Sequence, residues 1–187
     1  QIQLEEFIRQ RMAVLKPAFQ HRKIKVVTRF SSAPQIYLPI DPLQKIVDGL
    51  VKNAIENTPD EGRIEIIVQA KDDGTEMIVR DFGVGITEEN QGRIFEGFYA
   101  TQETMDYSSK RPFDFNAGGK GMDLLRVKIF SERYNFKIEM NSTRCPQIPR
   151  DSDTCPGKIS DCPLCQQGKG CHQSPATTFR LQFPPAP

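Results

Sequence analysis

The segment NAIENTP, residues 53–59, closes a predicted helix and is the stretch from which the fold can be inferred. Apolar side chains recur at helical spacing over residues 43–54, so one face of this helix is predicted to be buried. The helix presents Asn53, with Gly49 one turn before it and Asn57 one turn after it. An amide oxygen held on a helix is a good ligand for a hard cation such as magnesium. Taken alone, the pattern also fits a surface asparagine near a helix end.

A second segment, DFGVGI at residues 81–86, directly follows a predicted strand. The carboxylate of Asp81, held at the end of a strand, can accept a hydrogen bond from an exocyclic amine such as that of adenine. Gly83 and Gly85 would let the backbone approach a flat ring or a phosphate closely. A simple turn at the exit of the strand is the alternative interpretation.

Two further segments continue the pattern. In RIFEGFY, residues 93–99, Arg93 can reach a phosphate or be an ordinary surface charge, and Phe98 is predicted to pack at the root of a loop. In GGKG, residues 118–121, free backbone amides at a helix start and the nearby Lys120 form an anion site. The spacing of a Walker-type phosphate loop is absent, and GGKG does not follow a strand in a βαβ unit, which argues against a dinucleotide-binding fold.

The remaining elements indicate an α/β protein. Helices are predicted at residues 1–20, from a cap at Asp41-Pro42 to Thr58-Pro59, at 88–97 and at 122–133, with a mobile loop over 98–121. Strands are predicted at residues 24–30, 36–40, 63–69, 75–80, 136–140 and 179–183.

In this order, the four segments resemble the ATP-binding catalytic domain of sensor histidine kinases, a family related to gyrase, Hsp90 and MutL. The resemblance covers residues 1–141 and 177–184. It implies a two-layer α/β sandwich, the Bergerat ATP-binding fold, in which a mixed sheet carries helices on one face. We therefore expect one histidine kinase-like domain over residues 1–187, with a Cys-rich insertion at 142–177 between the last two strands.

The resemblance also implies roles for individual residues. ATP would lie between the helices, under residues 98–121 as a lid, and its γ-phosphoryl group would pass to a histidine. Asn53 would coordinate Mg²⁺ and, with Lys120, would be catalytic, while Asp81 would bind the adenine amine. The residues expected to bind ATP and its magnesium ion are Asn53, Asn57, Asp81, Gly83, Gly85, Ile86, Arg93, Phe98, Gly119, Lys120 and Gly121.

The sequence departs from the family pattern at four positions. Each departure removes a positive or polar partner of the phosphates or adds a negative charge near them. We therefore expect weak or conditional nucleotide binding, with Lys110, Arg111 or Lys120 of the lid as compensating cations. The four departures are Gly49, Glu56, Gly97 and Asp123.

The chain contains two histidines, His21 and His172, and no helical histidine motif of the phosphoacceptor type. We expect the dimerisation and phosphoacceptor helices upstream of Gln1, a homodimeric full-length protein, a response regulator as partner and a cytoplasmic location for this domain. A gyrase- or Hsp90-like ATPase switch is the first alternative. Those enzymes carry a glutamate one turn before the magnesium asparagine, where this chain has Gly49 beside Asp48. A decayed nucleotide site with a partner-docking module is the second.

The composition excludes other classes. The 187 residues are 37% hydrophobic with a net charge of +1, so no bulk electrostatics favour nucleic acid or an anionic membrane. The longest apolar runs fall far short of the roughly 20 residues that a membrane helix requires. No signal peptide is recognisable.

All five cysteines lie between residues 145 and 171. The motif at residues 162–165 is a C-x-x-C knuckle, which favours a structural zinc ion or another metal at a hairpin tip. An iron–sulfur cluster is a lesser option. Free or disulfide-bonded thiols in a disordered loop are the non-metal alternative. The candidate ligands are Cys145, Cys155, Cys162, Cys165, Cys171 and His172.

Overall fold

The structure is a computed structural model that describes residues 1–96, 111–117, 122–163, 165, 171 and 176–187. Four helices and five strands form its framework in these ranges. They are α1 (Leu4–Phe19), β1 (Lys25–Phe30), α2 (Ile40–Asn57), β2 (Arg63–Lys71), β3 (Gly74–Asp81), α3 (Glu88–Gln91), α4 (Met122–Arg133), β4 (Lys137–Ser142) and β5 (Thr177–Phe183).

The five strands form one mixed sheet in the order β1-β2-β3-β5-β4. The β1–β2 pair is parallel and the other neighbours are antiparallel. The last two strands pair from Lys137 with Gln182 to Ser142 with Thr177, although a long segment separates them in sequence. Because β5 lies between β3 and β4, that segment leaves the sheet beside Asp81, the last residue of β3.

The core lies between one face of the sheet and helices α1, α2 and α4. Alternate residues of the central strands point into it, as the period-two patterns predict. Their buried side chains include Ile64, Ile66, Val68, Met77, Val79, Phe179, Leu181 and Phe183. The helices contribute Leu4, Ile8, Ile46, Leu50 and Val127, all buried. This two-layer arrangement confirms the fold class expected from the sequence.

The opposite face of the sheet carries ion pairs instead of helices. Glu65 lies 3.6 Å from Arg80, and Glu76 lies 3.0 Å from Lys71 and 3.8 Å from Arg180. Both glutamates are buried.

Three local predictions were wrong. Residues 36–40 form no strand, since Ile36 makes only an isolated bridge to Ile2 and Pro39 offers no backbone donor. Helix α2 begins at Ile40, because the Leu43 amide already donates to the Pro39 carbonyl at 3.2 Å, so Asp41 lies in the first turn and does not cap it. The helix predicted at 88–97 ends at Gln91, where Gly92 follows.

None of the helices in the described ranges has the length and apolar composition needed to cross a bilayer.

Candidate nucleotide-binding site

The carboxylate of Asp81 lies at the end of β3 and is 2% exposed. Its Oδ1 accepts a hydrogen bond from the Gly83 amide at 3.1 Å, and the Thr177 amide of β5 also donates to the carboxylate. Burial raises the pKa of Asp81 to about 7, and these two backbone hydrogen bonds only partly oppose that shift. A buried carboxyl with remaining acceptor capacity is a strong candidate for recognising a base amine.

The loop after Asp81 rests directly on the end of α2. The Val84 amide donates to the Asn57 carbonyl at 3.0 Å. A Cβ added to Gly83 would collide with the same carbonyl oxygen, so only glycine fits this close approach. The sequence therefore needs glycine here to bring Asp81 and the Asn57 turn together.

Gly85 has a left-handed backbone with φ +71, and a Cβ on it would collide with the Thr143 carbonyl. The neighbouring Ile86 amide donates to Ser142 Oγ at 2.9 Å. Ile86 is half-buried and lines a cleft together with Asn57 and Gly85. Both glycines of the DFGVGI segment thus serve close backbone packing, on α2 at one end and on the segment after β4 at the other.

Asn53 and Asn57 lie one turn apart on α2. The Asn57 Nδ2 donates to the Asn53 backbone carbonyl at 2.7 Å and lies 3.3 Å from the Asn53 Oδ1. The Asn53 side chain is half-buried. Its amide oxygen and its position beside the Asn57 turn fit the hard oxygen ligand that Mg²⁺ prefers.

Two departures from the family pattern pack against each other. A Cβ added to Gly49 would lie 3.2 Å from the Asp123 Cβ, so the absence of a side chain at Gly49 makes room for Asp123. The Asp123 carboxylate lies 3.5 Å from Lys52 Nζ and 3.4 Å from Arg126 Nη1. The negative charge that Asp123 adds is therefore balanced by two neighbouring cations.

The sequence led us to expect that Glu56 adds a negative charge near the phosphates. In the structure, its carboxyl group is instead engaged within the protein. Its side chain is buried, and its Oε1 accepts the Phe113 amide at 3.0 Å. Its backbone carbonyl accepts the Asn116 amide at 2.7 Å. Burial raises the pKa of Glu56, against the opposing effects of the Phe113 hydrogen bond and Lys52. Glu56 therefore fastens residues 111–117 to α2.

Of the remaining residues predicted to bind ATP, the structure describes one, Arg93. Arg93 is exposed on the turn after α3. Gly97, Phe98, Gly119, Lys120, Gly121 and His172 lie outside the described residues. Their predicted roles stay predictions.

Sequence reasoning missed that the Cys-rich segment folds back onto this cleft. Arg144, Ile148, Asp151, Asp153 and Cys155 line it from that segment. The Asp151 carboxylate accepts Asn90 Nδ2 at 2.6 Å and Thr87 Oγ1 at 3.2 Å, which ties the segment to α3. No residue spacing predicts these contacts, but the pairing of Thr177 with Asp81 places the root of the segment here.

The family described as histidine kinase-, DNA gyrase B-, and HSP90-like ATPase matches residues 39–187, and the chain belongs to this family. The phosphate regulon sensor protein PhoR of Pseudomonas aeruginosa is 34% identical over 100 residues, 54% of this chain and 21% of PhoR. The adaptive-response sensory kinase SasA of Gloeothece citriformis is 31% identical over 127 residues, 67% of this chain and 30% of SasA. The chain thus spans less than a third of either relative.

Solved structures share the fold. The mycobacterial sensor histidine kinase MprB superposes with a TM-score of 0.66 at 17% identity, covering 99% of this chain and 97% of that one. The catalytic domain of histidine kinase ThkA gives a TM-score of 0.66 at 18% identity, covering 98% and 93%.

Proposed function

We propose that this chain is the ATP-binding catalytic domain of a two-component sensor histidine kinase. One observation carries the proposal. The buried carboxylate of Asp81 lies at the end of a central strand, and the loop that follows it packs on the helix that presents Asn53 and Asn57. Relatives named as sensor kinases and the family match support it.

Asp81 would recognise the base. The Gly83 and Thr177 amides fix the carboxylate and leave acceptor capacity for an exocyclic amine, which adenine offers and guanine does not present at the same position. Pairing a buried acceptor with the correct donor gives strong discrimination, because an analogue without the donor leaves the acceptor unsatisfied. The half-buried Ile86 would lie against the ring.

Asn53 would hold the magnesium ion, and Asn57 lies next to it on α2. A bound magnesium ion neutralises phosphate charge in phosphoryl transfer, so the protein mainly positions groups. Arg93 and the GGKG segment with Lys120 would face the phosphate tail. We propose that Lys52, between Glu56 and Asp123, adds a fixed positive charge on the same side of α2.

Transfer to a histidine is favoured over hydrolysis by the arrangement at residues 48 and 49. Gly49 has no side chain to activate water. The neighbouring Asp48 is engaged elsewhere, since its two oxygens accept Arg11 Nε and Nη2, each at 2.6 Å. An ATPase switch would require a general base to activate water, and this turn of α2 offers none.

The partners follow from this class of protein. The phosphoacceptor histidine would come from a dimerisation domain of the same protein, the full-length protein would be a homodimer, and a response regulator would accept the phosphoryl group. We place the domain in the cytoplasm, where ATP is available.

The test is calorimetric titration of the chain with a non-hydrolysable ATP analogue, with and without magnesium, compared with a GTP analogue. We expect magnesium-dependent binding that prefers adenine and falls at least about tenfold in Asp81→Asn, the cost of one buried charge-assisted hydrogen bond. Asp73→Asn, in the β2–β3 turn, is the matched control. Steady ATP hydrolysis without a histidine acceptor would favour the ATPase switch, and no binding of any nucleotide would refute the proposal.

A further inference from the structure

All five cysteines of the chain line one cavity of about 260 Å³, although they are spread over residues 145–171. Within this set, the sulfurs of Cys162, Cys165 and Cys171 all lie within 4.8 Å of one another. The structure joins Cys165 to Cys171 as a disulfide and leaves Cys145, Cys155 and Cys162 as thiols.

The spacing of the three clustered sulfurs suits a single ion. A tetrahedral zinc site has metal–sulfur distances of about 2.3 Å, which puts its sulfurs about 3.8 Å apart. An iron–sulfur cubane is larger than one ion and needs its cysteine sulfurs further apart. A disulfide would use two of these sulfurs and leave the buried Cys162 against them.

Cys155 is the fourth ligand that we consider, because it lines the cysteine cavity and its sulfur accepts a backbone hydrogen bond. That donor is the Gly157 amide, and the Cys155 sulfur lies within electrostatic range of both Cys145 and Cys162. Hydrogen bonds of this kind orient metal-bound thiolates. The Cys145 amide donates to the Val84 carbonyl at 2.8 Å, which fixes the backbone of Cys145 beside the loop that follows β3.

The Cys-rich segment also contacts the loop after β3 and the turn after α2. On the Gly83–Gly85 side, Arg144 Nη1 donates to the Gly85 carbonyl at 3.1 Å. On the α2 side, the Asp60 amide donates to the Gly157 carbonyl at 2.9 Å, and the Ile159 amide donates to the Asp60 carbonyl at 3.1 Å. Cys155 lines both the cysteine cavity and the cleft beside Asn57.

We propose that Cys155, Cys162, Cys165 and Cys171 of the reduced chain bind one tetrahedral thiophilic ion of the zinc class. We further propose that the bound ion stabilises the cleft lined by Asn57, Gly85 and Ile86, so that metal occupancy raises nucleotide affinity. Binding exchanges four thiol protons for four metal–sulfur bonds and leaves the oxidation states unchanged. The coupling to nucleotide rests on the proposed ATP-binding function, whereas the metal site does not.

The metal site is tested by purifying the chain anaerobically under reductant, adding zinc, and measuring metal by elemental analysis and thiols by alkylation and mass spectrometry. We expect one zinc per chain and rapid alkylation of Cys145 alone, with all five cysteines reacting after chelation. A disulfide that survives reductant, with three reactive thiols whether or not zinc is present, would overturn the site. So would iron with labile sulfide, or no bound metal.

Variants test the choice of ligands. Cys155→Ser and Cys162→Ser should bind cobalt without the intense visible bands of a tetrathiolate site, whereas Cys145→Ser and His172→Ala should keep those bands. Loss of the bands in Cys145→Ser with retention in Cys155→Ser would overturn the assignment. If Cys162→Ser fails to fold, the cobalt spectrum of the unaltered chain still reports whether four thiolates bind.

The coupling is measured as the affinity for a magnesium–ATP analogue in the zinc-loaded and chelated chains. We expect chelation to weaken binding about tenfold, within the range of allosteric couplings, and Cys162→Ser to bind as weakly as the chelated chain. Equal affinities would overturn the coupling while leaving the proposed function intact. Stoichiometric zinc with no nucleotide binding in either form would refute the proposed function while leaving the metal site intact.

Discussion

Two regions meet at the cleft but are held together differently. One, here called the β3–α2 wall, consists of strand β3, the loop over residues 82–86 and helix α2, and the other is the Cys-rich segment. The wall consists of regular elements whose buried residues, such as Ile55 and Val79, belong to the main core. Between Ser142 and Thr177, which flank the Cys-rich segment, few of the described side chains are buried, Cys162 and Ala176 among them. The described part of this segment therefore buries little apolar area to offset the entropy of ordering it. Such a segment needs cross-links, and its cysteines are the groups able to supply them.

The largest expected effect is on the wall. Gly83→Ala places a Cβ against the Asn57 carbonyl, so the loop or the end of α2 must shift. We expect a loss of about 2–4 kcal/mol in the free energy of unfolding, measured by urea denaturation, together with loss of nucleotide binding. Gly92→Ala is the matched control, because nothing lies within 4 Å of its added Cβ. Equal stability of the two variants would show that the wall is not tightly packed.

The next prediction concerns the pH dependence of stability, which depends on the buried carboxyl group of Asp81. The pKa of Asp81 rises from 3.8 to about 7 on folding, so its carboxyl favours the folded state at low pH and that contribution is lost as pH rises through about 7. Relative to Asp81→Asn, the free chain should lose roughly 2–4 kcal/mol of unfolding free energy between pH 4 and pH 8, followed by chemical denaturation at each pH. Parallel pH profiles of the two proteins would contradict the burial of an ionisable carboxyl.

A smaller effect is expected from a substitution in the Cys-rich segment that leaves the wall unchanged. Arg144→Ala removes hydrogen bonds to the carbonyls of Gly85 and Ile148, which lie on either side of the cleft. We expect a fivefold to tenfold loss of affinity for the ATP analogue, on the order of 1 kcal/mol, with little change in global stability because the main core is untouched. Arg133→Ala, at the end of α4, is the control. A large loss of stability in Arg144→Ala would mean that the two regions unfold together.

The smallest effect tests the pair formed by Gly49 and Asp123. Alanine favours a helix interior over glycine by about 1 kcal/mol, but a Cβ at residue 49 would lie 3.2 Å from the Asp123 Cβ. We therefore expect Gly49→Ala to be nearly neutral alone and to stabilise by about 1 kcal/mol in an Asp123→Gly background. A double-mutant cycle by thermal unfolding measures the coupling. Additive effects would show that the two departures are independent.

Much of the framework could be predicted because its signals are local. The helix expected at residues 122–133 has those bounds, and the alternating strands at both ends of the Cys-rich segment pair as predicted. The prediction of a strand at residues 36–40 was wrong, because an alternating pattern does not by itself provide a neighbouring strand to pair with. In the candidate site, Asp81 and Asn57 were predicted from their motifs, whereas the bonds that Asp151 makes to Thr87 and Asn90 could not be.

The sequence by itself determined the family, the sheet and the glycines of the DFGVGI segment, because hydrophobic period and backbone freedom act over a few residues. Only the tertiary structure decided that Gly49 makes room for Asp123, that Glu56 holds residues 111–117, and that the cysteines gather beside the candidate nucleotide-binding cleft. These contacts join residues far apart in the chain. The last of them exists because β5 inserts between β3 and β4 and brings the root of the Cys-rich segment to Asp81.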